Sequence, residues 1–375
     1  MTKQVHIVSF HAPWPADCGV SIDMFNRIRA FHKNDIAVHL HYFNAGKCGV
    51  PNELNPYCES IHLYKPKPSS SCFSVHKPFI VNLGDDPELI SRLKKDDHPI
   101  IFEGLHTTGI LSQLDLNNRK ICIRMQRAEC IHYQEMARCT INLPKKLYYR
   151  YERSLIRKYL SQLPADCMYA CVSENDAAYF QSIGLKNSCF IPAFPTWQEV
   201  DCPNGIGNLC LYHGNLSVPE NERAAIWLLT NVCTRIKIPF VVAGKNPSRR
   251  LQKTADLLQH TCLVSDPTEA EINDLIKKAH INVLPFFHKE ITGIRLKLLH
   301  ALYQGRHCVV TPATVAGTGL EGACHIGKTS TAIADIIAQL YHQPFEEEEI
   351  RLREHLLYGK YNNDRNIRQF MEYLW

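Results

Sequence analysis

Several features that would settle a function class early are missing from this sequence. No run of roughly eighteen apolar residues occurs, so no segment reads as a membrane span. The start carries no basic leader ahead of a long apolar stretch; Val5, Ile7 and Val8 instead open a strand over residues 5–10, so no signal peptide is expected. There are 16 cysteines but no Cys-x-x-Cys, and the closest pair, Cys167 and Cys171, falls in a strand-like run. That usage points to reduced, buried thiols and a cytoplasmic protein, and away from a zinc motif or a disulfide framework. No Gly-x-Gly-x-x-Gly follows the first strand, which argues against a dinucleotide oxidoreductase. The net charge of +5 is small for 375 residues and its cations are dispersed. Nucleic-acid binding is therefore not expected, while anionic small molecules or an anionic membrane surface remain open.

What is present fits an ordinary globular chain, with 45% hydrophobic and 21% charged residues, long enough for two cores. Strand-like stretches at 5–10, 36–43, 99–102, 120–125 and 168–173 alternate with helical ones, and 44–77 reads mostly as loop. Pro192, Pro195, Pro203, Gly205 and Gly207 mark a linker. The pattern then restarts, with strands at 210–213, 239–243, 261–264, 281–285 and 308–311 separated by helices, including one over 294–303. Alternation of this kind predicts an α/β fold of two doubly wound, Rossmann-like domains with a ligand cleft between them. The expected division is 1–195, 208–354 and a final helical segment, 355–375. The acidic run 346–349 reads as a solvated helix start.

The strongest local signal is Thr292-Gly293-Ile294-Arg295-Leu296-Lys297, which follows a strand and opens a helix. Thr292 is expected to cap that helix, Gly293 to allow close approach, and the first-turn amides to hold a diphosphate. Arg295 and Lys297 place two cations where the helix dipole favours acids, a conflict that a bound anion resolves. His300, further along, reads either as a ribose contact or as a satisfied core histidine. Gly214 and Asn215, and Gly244 and Lys245, occupy loops after strands where ligand contacts are expected, and Lys245 is the better phosphate candidate of these. In the first half, Gly19 falls just before a helix expected over about 21–33, while His106, Arg127 and Glu129 fall at strand ends. A histidine or glutamate there can position an acceptor hydroxyl or take its proton, so His106 and Glu129 are the catalytic candidates. Residues 145–163 form a basic helix interleaved with Leu147, Tyr151 and Leu155, which suits either internal packing of the apolar stripe or contact with an anionic membrane.

Taken in order, 13–19, 124–129, Val172-Ser173-Glu174-Asn175-Asp176, 212–220, Ala243-Gly244-Lys245-Asn246-Pro247 and 292–301 resemble the retaining GT-B glycosyltransferases that use nucleotide sugars, of the glycosyltransferase family 4 type. The resemblance implies a hexosyltransferase of bacterial surface polysaccharide or glycan synthesis, cytoplasmic or peripheral at the inner membrane. Its partners would be a nucleotide-sugar donor and a glycan or lipid-linked acceptor. It further implies donor diphosphate contacts from the segment beginning at Thr292, Gly19 on the acceptor side, and a last helix returning to the N-terminal domain. One departure stands out: the Glu-x7-Glu carboxylates of many retaining members would fall at Thr292 and His300, and neither is acidic. No Asp-x-Asp appears either, so no metal and no cofactor is expected at the diphosphate. A nucleotide-sugar epimerase and a non-catalytic GT-B-like subunit are the alternative functions.

Overall fold

A computed structural model describes residues 3–44, 49–115, 119–287 and 292–375. The chain folds as two compact units. One holds the chain up to Thr196, the segment 292–294, and Tyr361–Trp375; the other holds Trp197 onward and Arg295–Lys360.

The first unit contains a parallel sheet of seven strands: β1 (Gln4–Ser9), β2 (Ala37–Phe43), β3 (Ser60–Tyr64), β4 (Ile100–Glu103), β5 (Ile121–Met125), β6 (Met168–Cys171) and β7 (Ser188–Phe190), in the order β3-β2-β1-β4-β5-β6-β7. Both faces are covered, which is why the central strands are apolar at nearly every position. Successive residues alternate between two cores. Ile121, Ile123 and Met125 pack with Ile100 and Phe102 on one side, and Cys122 with Ile101, Val5 and Ile7 on the other. The helix Asn363–Leu374 completes the second of these cores, burying Ile367, Phe370 and Leu374 beside Met24, Ile28 and Phe31 of the helix Gly19–Lys33.

The second unit carries six parallel strands, β8 (Leu209–His213), β9 (Phe240–Gly244), β10 (Thr261–Ser265), β11 (Ala279–Leu284), β12 (His307–Val310) and β13 (His325–Ile326), ordered β10-β9-β8-β11-β12-β13. In each sheet the order reverses beside its first strand, between β1 and β4 and between β8 and β11. Loops leaving those strands diverge there and leave a crevice at the carboxyl edge.

The doubly wound α/β expectation holds, with differences at the margins. Most of the described residues within 44–77 are loop, as expected, but a short 3-10 helix, Asn52–Tyr57, and the edge strand β3 lie among them. The strand was hidden because its residues are mostly half-buried and flanked by turn formers. The proline-rich stretch after residue 191 is also anchored, with Ile191, Ala193 and Phe194 buried in the first unit and Gly205 paired to Phe345 in the second.

Candidate functional site

The second unit gathers polar groups at its switch point. Helix Leu296–Gln304 follows β11, and Lys297 lies in its first turn. The half-buried lysine donates from Nζ to Tyr212 Oη at 3.2 Å and to Asn221 Oδ1 at 3.1 Å, and lies 4.7 Å from the Tyr212 ring centroid. Tyr212 in turn donates to the Asn221 carbonyl at 2.9 Å. Burial, reinforced by the Arg295 charge and only partly offset by Glu220, brings the Lys297 pKa down to about 7. Arg295 precedes the helix and lies 3.7 Å from the Phe286 ring centroid, a cation–π contact.

The loops expected at strand ends lie in the same unit. Gly214 follows β8, and a Cβ on Gly244 would come within 1.8 Å of its carbonyl oxygen. Only glycine at 244 lets these two loops pass so closely. The Leu216 amide donates to the Lys245 carbonyl at 3.0 Å, while Lys245 and Asn215 are themselves exposed. Asn215 Oδ1 accepts from Ser217 N and Oγ. His300 is buried: its Nε2 lies 2.7 Å from Asn273 Oδ1 and 3.2 Å from Gln304 Oε1, and its ring stacks on Trp197 at 4.1 Å. Edge-on to it lies His213, fully within the unit, with Nε2 lacking a hydrogen-bond partner and its pKa held well below the ordinary value by burial and then by His300 and Lys297. Sequence reasoning singled out neither His213 nor Asn221. Both lie in segments that carried the resemblance or adjoined it, which was the available signal.

The expected role of Thr292 as a helix cap is not what the structure has. The helix starts at Leu296 with Arg295 at its N-cap and no side-chain cap. Gly293, at φ 70°, breaks the chain away from helical geometry first. Thr292 Oγ1 instead donates to Asp176 Oδ1 at 2.6 Å and accepts from the Ala128 amide. The Gly293 amide donates to Asp176 Oδ2 at 2.7 Å. A Cβ at 293 would meet the Gln126 carbonyl oxygen at 2.8 Å, so glycine is required there too. The 292–294 segment, with half-buried Ile294, is thereby pinned within the first unit, and its glycine amide is engaged by a carboxylate. Burial raises the Asp176 pKa, against the hydrogen bonds it accepts from Thr292, Gly293 and Ser173.

At the first unit's switch point, His106 follows β4 and is half-buried, with Phe10 stacked at 5.9 Å and His11 at 6.3 Å between ring centroids. Burial lowers its pKa, Glu129 opposes that, and Arg127 and His11 add to it, so the ring is a neutral proton acceptor near pH 7. Glu129 is buried; Oε1 accepts from Arg127 Nε at 3.0 Å and Oε2 has no hydrogen-bond partner. The structure thus brings His106, Arg127 and Glu129 together and adds His11. Gly19 opens the helix Gly19–Lys33 and is exposed. Behind this group lies a buried charge network. Asp23 takes Arg27 at 2.8 Å, Arg124 at 2.8 Å, Gln126 at 2.7 Å and the Phe194 amide at 2.9 Å, while Arg27 also pairs with Glu103. Burial works against Asp23, yet the Arg124 and Arg27 guanidiniums hold its carboxyl well below the usual range.

The basic helix, Leu143–Leu160, buries Leu155 and Ile156 but leaves Leu147 64% exposed and Tyr151 45% exposed. Internal packing therefore accounts for only the second half of the apolar stripe. Among the described residues no helix is long and apolar enough to cross a membrane. A hollow of about 550 Å³ in the second unit, lined by Gln198, Tyr303, Arg351, Glu354 and Tyr358 among others, contains none of the expected site residues. Outside the switch points, His307, His325 and Glu349 bring one potential donor atom each within 4.8 Å of one another.

Two parallel, doubly wound sheets define the GT-B class, and solved structures of that class match nearly the whole chain. TarM, seen in S. aureus, matches at TM-score 0.72 and 9% identity, covering 100% of this chain and 99% of its own; a second TarM structure contains UDP. Sucrose-phosphate synthase from Thermosynechococcus elongatus matches at TM-score 0.71 and 14% identity, covering 99% and 98%. An uncharacterised 44.6 kDa protein in the cps region of Klebsiella pneumoniae is 23% identical over 340 residues, or 84% of each chain. Residues 207–343 match the family described as glycosyl transferases group 1. The chain thus has the fold of the GT-B structures, and residues 207–343, almost wholly within its second unit, match the glycosyl transferases group 1 family.

Proposed function

We propose that this protein moves a sugar from a nucleoside diphosphate donor to an acceptor hydroxyl, with retention of configuration, in bacterial surface-polysaccharide synthesis. The observation that carries the reading is Lys297. A half-buried lysine in the first turn of a helix, with its pKa lowered to about 7 and Arg295 beside it, is a costly arrangement that an anionic ligand would relieve. The second unit would hold the diphosphate through Arg295 and Lys297, with Lys245, Asn215 and the Gly214 and Gly244 loops at its rim. As the glycosidic bond breaks, charge builds on the leaving diphosphate, and preformed cations stabilise that charge without reorganising. Neutral His106 would orient or deprotonate the acceptor hydroxyl, with Glu129 and Arg127 fixing its surroundings. No metal is required in this scheme, because the cations do the neutralising. UDP in a TarM structure and the cps-region setting of the Klebsiella relative support the donor class and the biological setting.

A second reading also has an observation behind it. The Gly293 amide is taken by Asp176, and His300 is tied to Asn273 and Gln304 where a carboxylate was expected. A non-catalytic subunit that binds nucleotide without turnover fits those facts. Thermal shift against UDP, GDP, ADP and their sugar conjugates, followed by donor hydrolysis and transfer assays, separates the two. Stabilisation with turnover supports transfer, stabilisation alone supports the subunit, and no shift with any nucleotide overturns the donor site.

A further inference from the structure

The structure assigns a divalent-cation site, of zinc chemistry, to His307, His325 and Glu349 in the second unit. The three come from separate elements, β12, β13 and the helix Glu347–Lys360, and one donor atom from each lies within 4.8 Å of the others. They form no compact sequence motif, and nothing in their spacing along the chain points to a metal.

The state of His307 carries the argument. It is 2% exposed, and its Nε2 lies 3.2 Å from the Gln343 carbonyl. A carbonyl can only accept, so Nε2 holds the ring proton and the neutral imidazole presents its Nδ1 lone pair. That Nδ1 has no hydrogen-bond partner and faces Glu349 Oε1 at 3.3 Å. The buried Nδ1 lone pair and the carboxylate oxygen of Glu349, a side chain 35% exposed, repel one another unless a cation or a proton lies between them. Glu349 is itself oriented: its other oxygen accepts from the Glu346 amide at 3.2 Å. The acidic helix start, expected from the sequence to be simply solvated, therefore turns one carboxylate inward.

Both His307 and Glu349 thus have the supporting hydrogen bonds that metal ligands use to fix tautomer and direction. Their separation already suits a tetrahedral ion, whose ligand atoms stand about 3.4 Å apart when bonds are ~2.0–2.1 Å. Only His325, half-buried with its ring 5.4 Å from that of His307, has to close further. Two imidazoles and one carboxylate select zinc and its transition-metal neighbours over magnesium or calcium, which prefer an all-oxygen shell. Water completes the fourth position. Arg353, nearby, does not compete for Glu349: its guanidinium donates to the Gly305 and Arg306 carbonyls and lies over Phe345. The ion would tie the short edge strand β13 and the start of the helix Glu347–Lys360 to β12.

The test uses the full chain, stripped with chelator and titrated with zinc against a chromophoric competitor. Wild type should take up one equivalent more tightly than His325→Ala and Glu349→Gln, and zinc should raise the Tm of wild type only. Cobalt substitution should give the strong visible absorption of a four-coordinate ion in wild type. His260→Ala, in the same unit but outside the cluster, should keep the site, which controls for the chain's 19 histidines. If wild type and His325→Ala bind zinc equally, scattered surface histidines account for the binding and the site is refuted. If stripped wild type binds none, the His307–Glu349 contact stands without an ion, and the proposal also fails.

Discussion

Raising the pH from 7 to 8.5 should weaken nucleoside diphosphate binding, because Lys297 loses its proton within that window. With its pKa lowered to about 7, the lysine is half charged at neutrality. At pH 8.5 it is about 3% charged, and if the bound anion restores the ordinary lysine pKa, apparent affinity falls about 16-fold, or roughly 1.6 kcal/mol. The nucleotide's terminal phosphate titrates near 6, so over this range the ligand gains only a little negative charge and works slightly against the effect. Titration calorimetry with UDP in buffers of differing ionisation enthalpy measures the loss directly, and should show proton uptake approaching one per site at pH 8.5. Lys297→Met should bind weakly at both pH values, with little dependence between them. The ligand-free protein should respond in the opposite sense. Since the folded pKa lies below the unfolded one, the unfolded chain holds more protons between about pH 7 and 10.5, and stability rises with pH there, by up to about 1.4 kcal/mol per unit. Equal affinity at pH 7 and 8.5 with no proton uptake would refute a lysine–diphosphate contact.

Four further outcomes are expected. Asp23→Asn should destabilise the protein by about 3–5 kcal/mol in denaturant unfolding, because it leaves Arg27 with Glu103 alone and takes from buried Arg124 the carboxylate it pairs with; a loss under about 1 kcal/mol would contradict the network. Asp176→Ala should cost roughly 1–3 kcal/mol and speed hydrogen exchange at Gly293, whose amide it leaves unpaired; unchanged exchange would show that the segment is held by other means. His6 is lowered to about 4, by burial against the partial opposition of Asp96. The unfolded histidine protonates first, so stability should be lost as pH falls from about 6.5 towards 4, at up to about 1.4 kcal/mol per unit, and His6→Gln should flatten that slope. The exposed Ile141, Leu143 and Leu147 beside Lys145, Lys146 and Arg150 should bring the chain down with anionic liposomes in a salt-sensitive way; binding that Leu147→Asp leaves unchanged would dismiss the contact.

How much of this was legible beforehand follows from where the information lies. The central strands of both sheets announced themselves because they are buried on both faces and read as apolar runs. The edge strand β3 did not, since Ser60, His62 and turn-forming flanks imitate a loop, and β13 has two residues and no pattern to detect. The cations at 295 and 297 were conspicuous because they contradict a local rule. The partner of Thr292 was not, because Asp176 is 116 positions away and only the folded chain joins them. A threonine and glycine ahead of a helix look locally like a cap, and long-range hydrogen bonding overrode that preference. The His307 group was invisible for the same reason, since the pairing of β12 with β13 and the folding back of the helix Glu347–Lys360 bring its three members together.

The helix Asn363–Leu374 has a consequence for how the protein comes into being. Its Ile367, Phe370 and Leu374 fill the core beneath Met24 and Phe31, so the unit made first during translation lacks part of its interior until the chain has been synthesised through residue 374. The second unit has all of its strands available earlier. On the ribosome, the half that emerges last is the half that can finish first, and the earlier half waits, with an apolar groove uncovered, in the period when chaperones and aggregation compete for it.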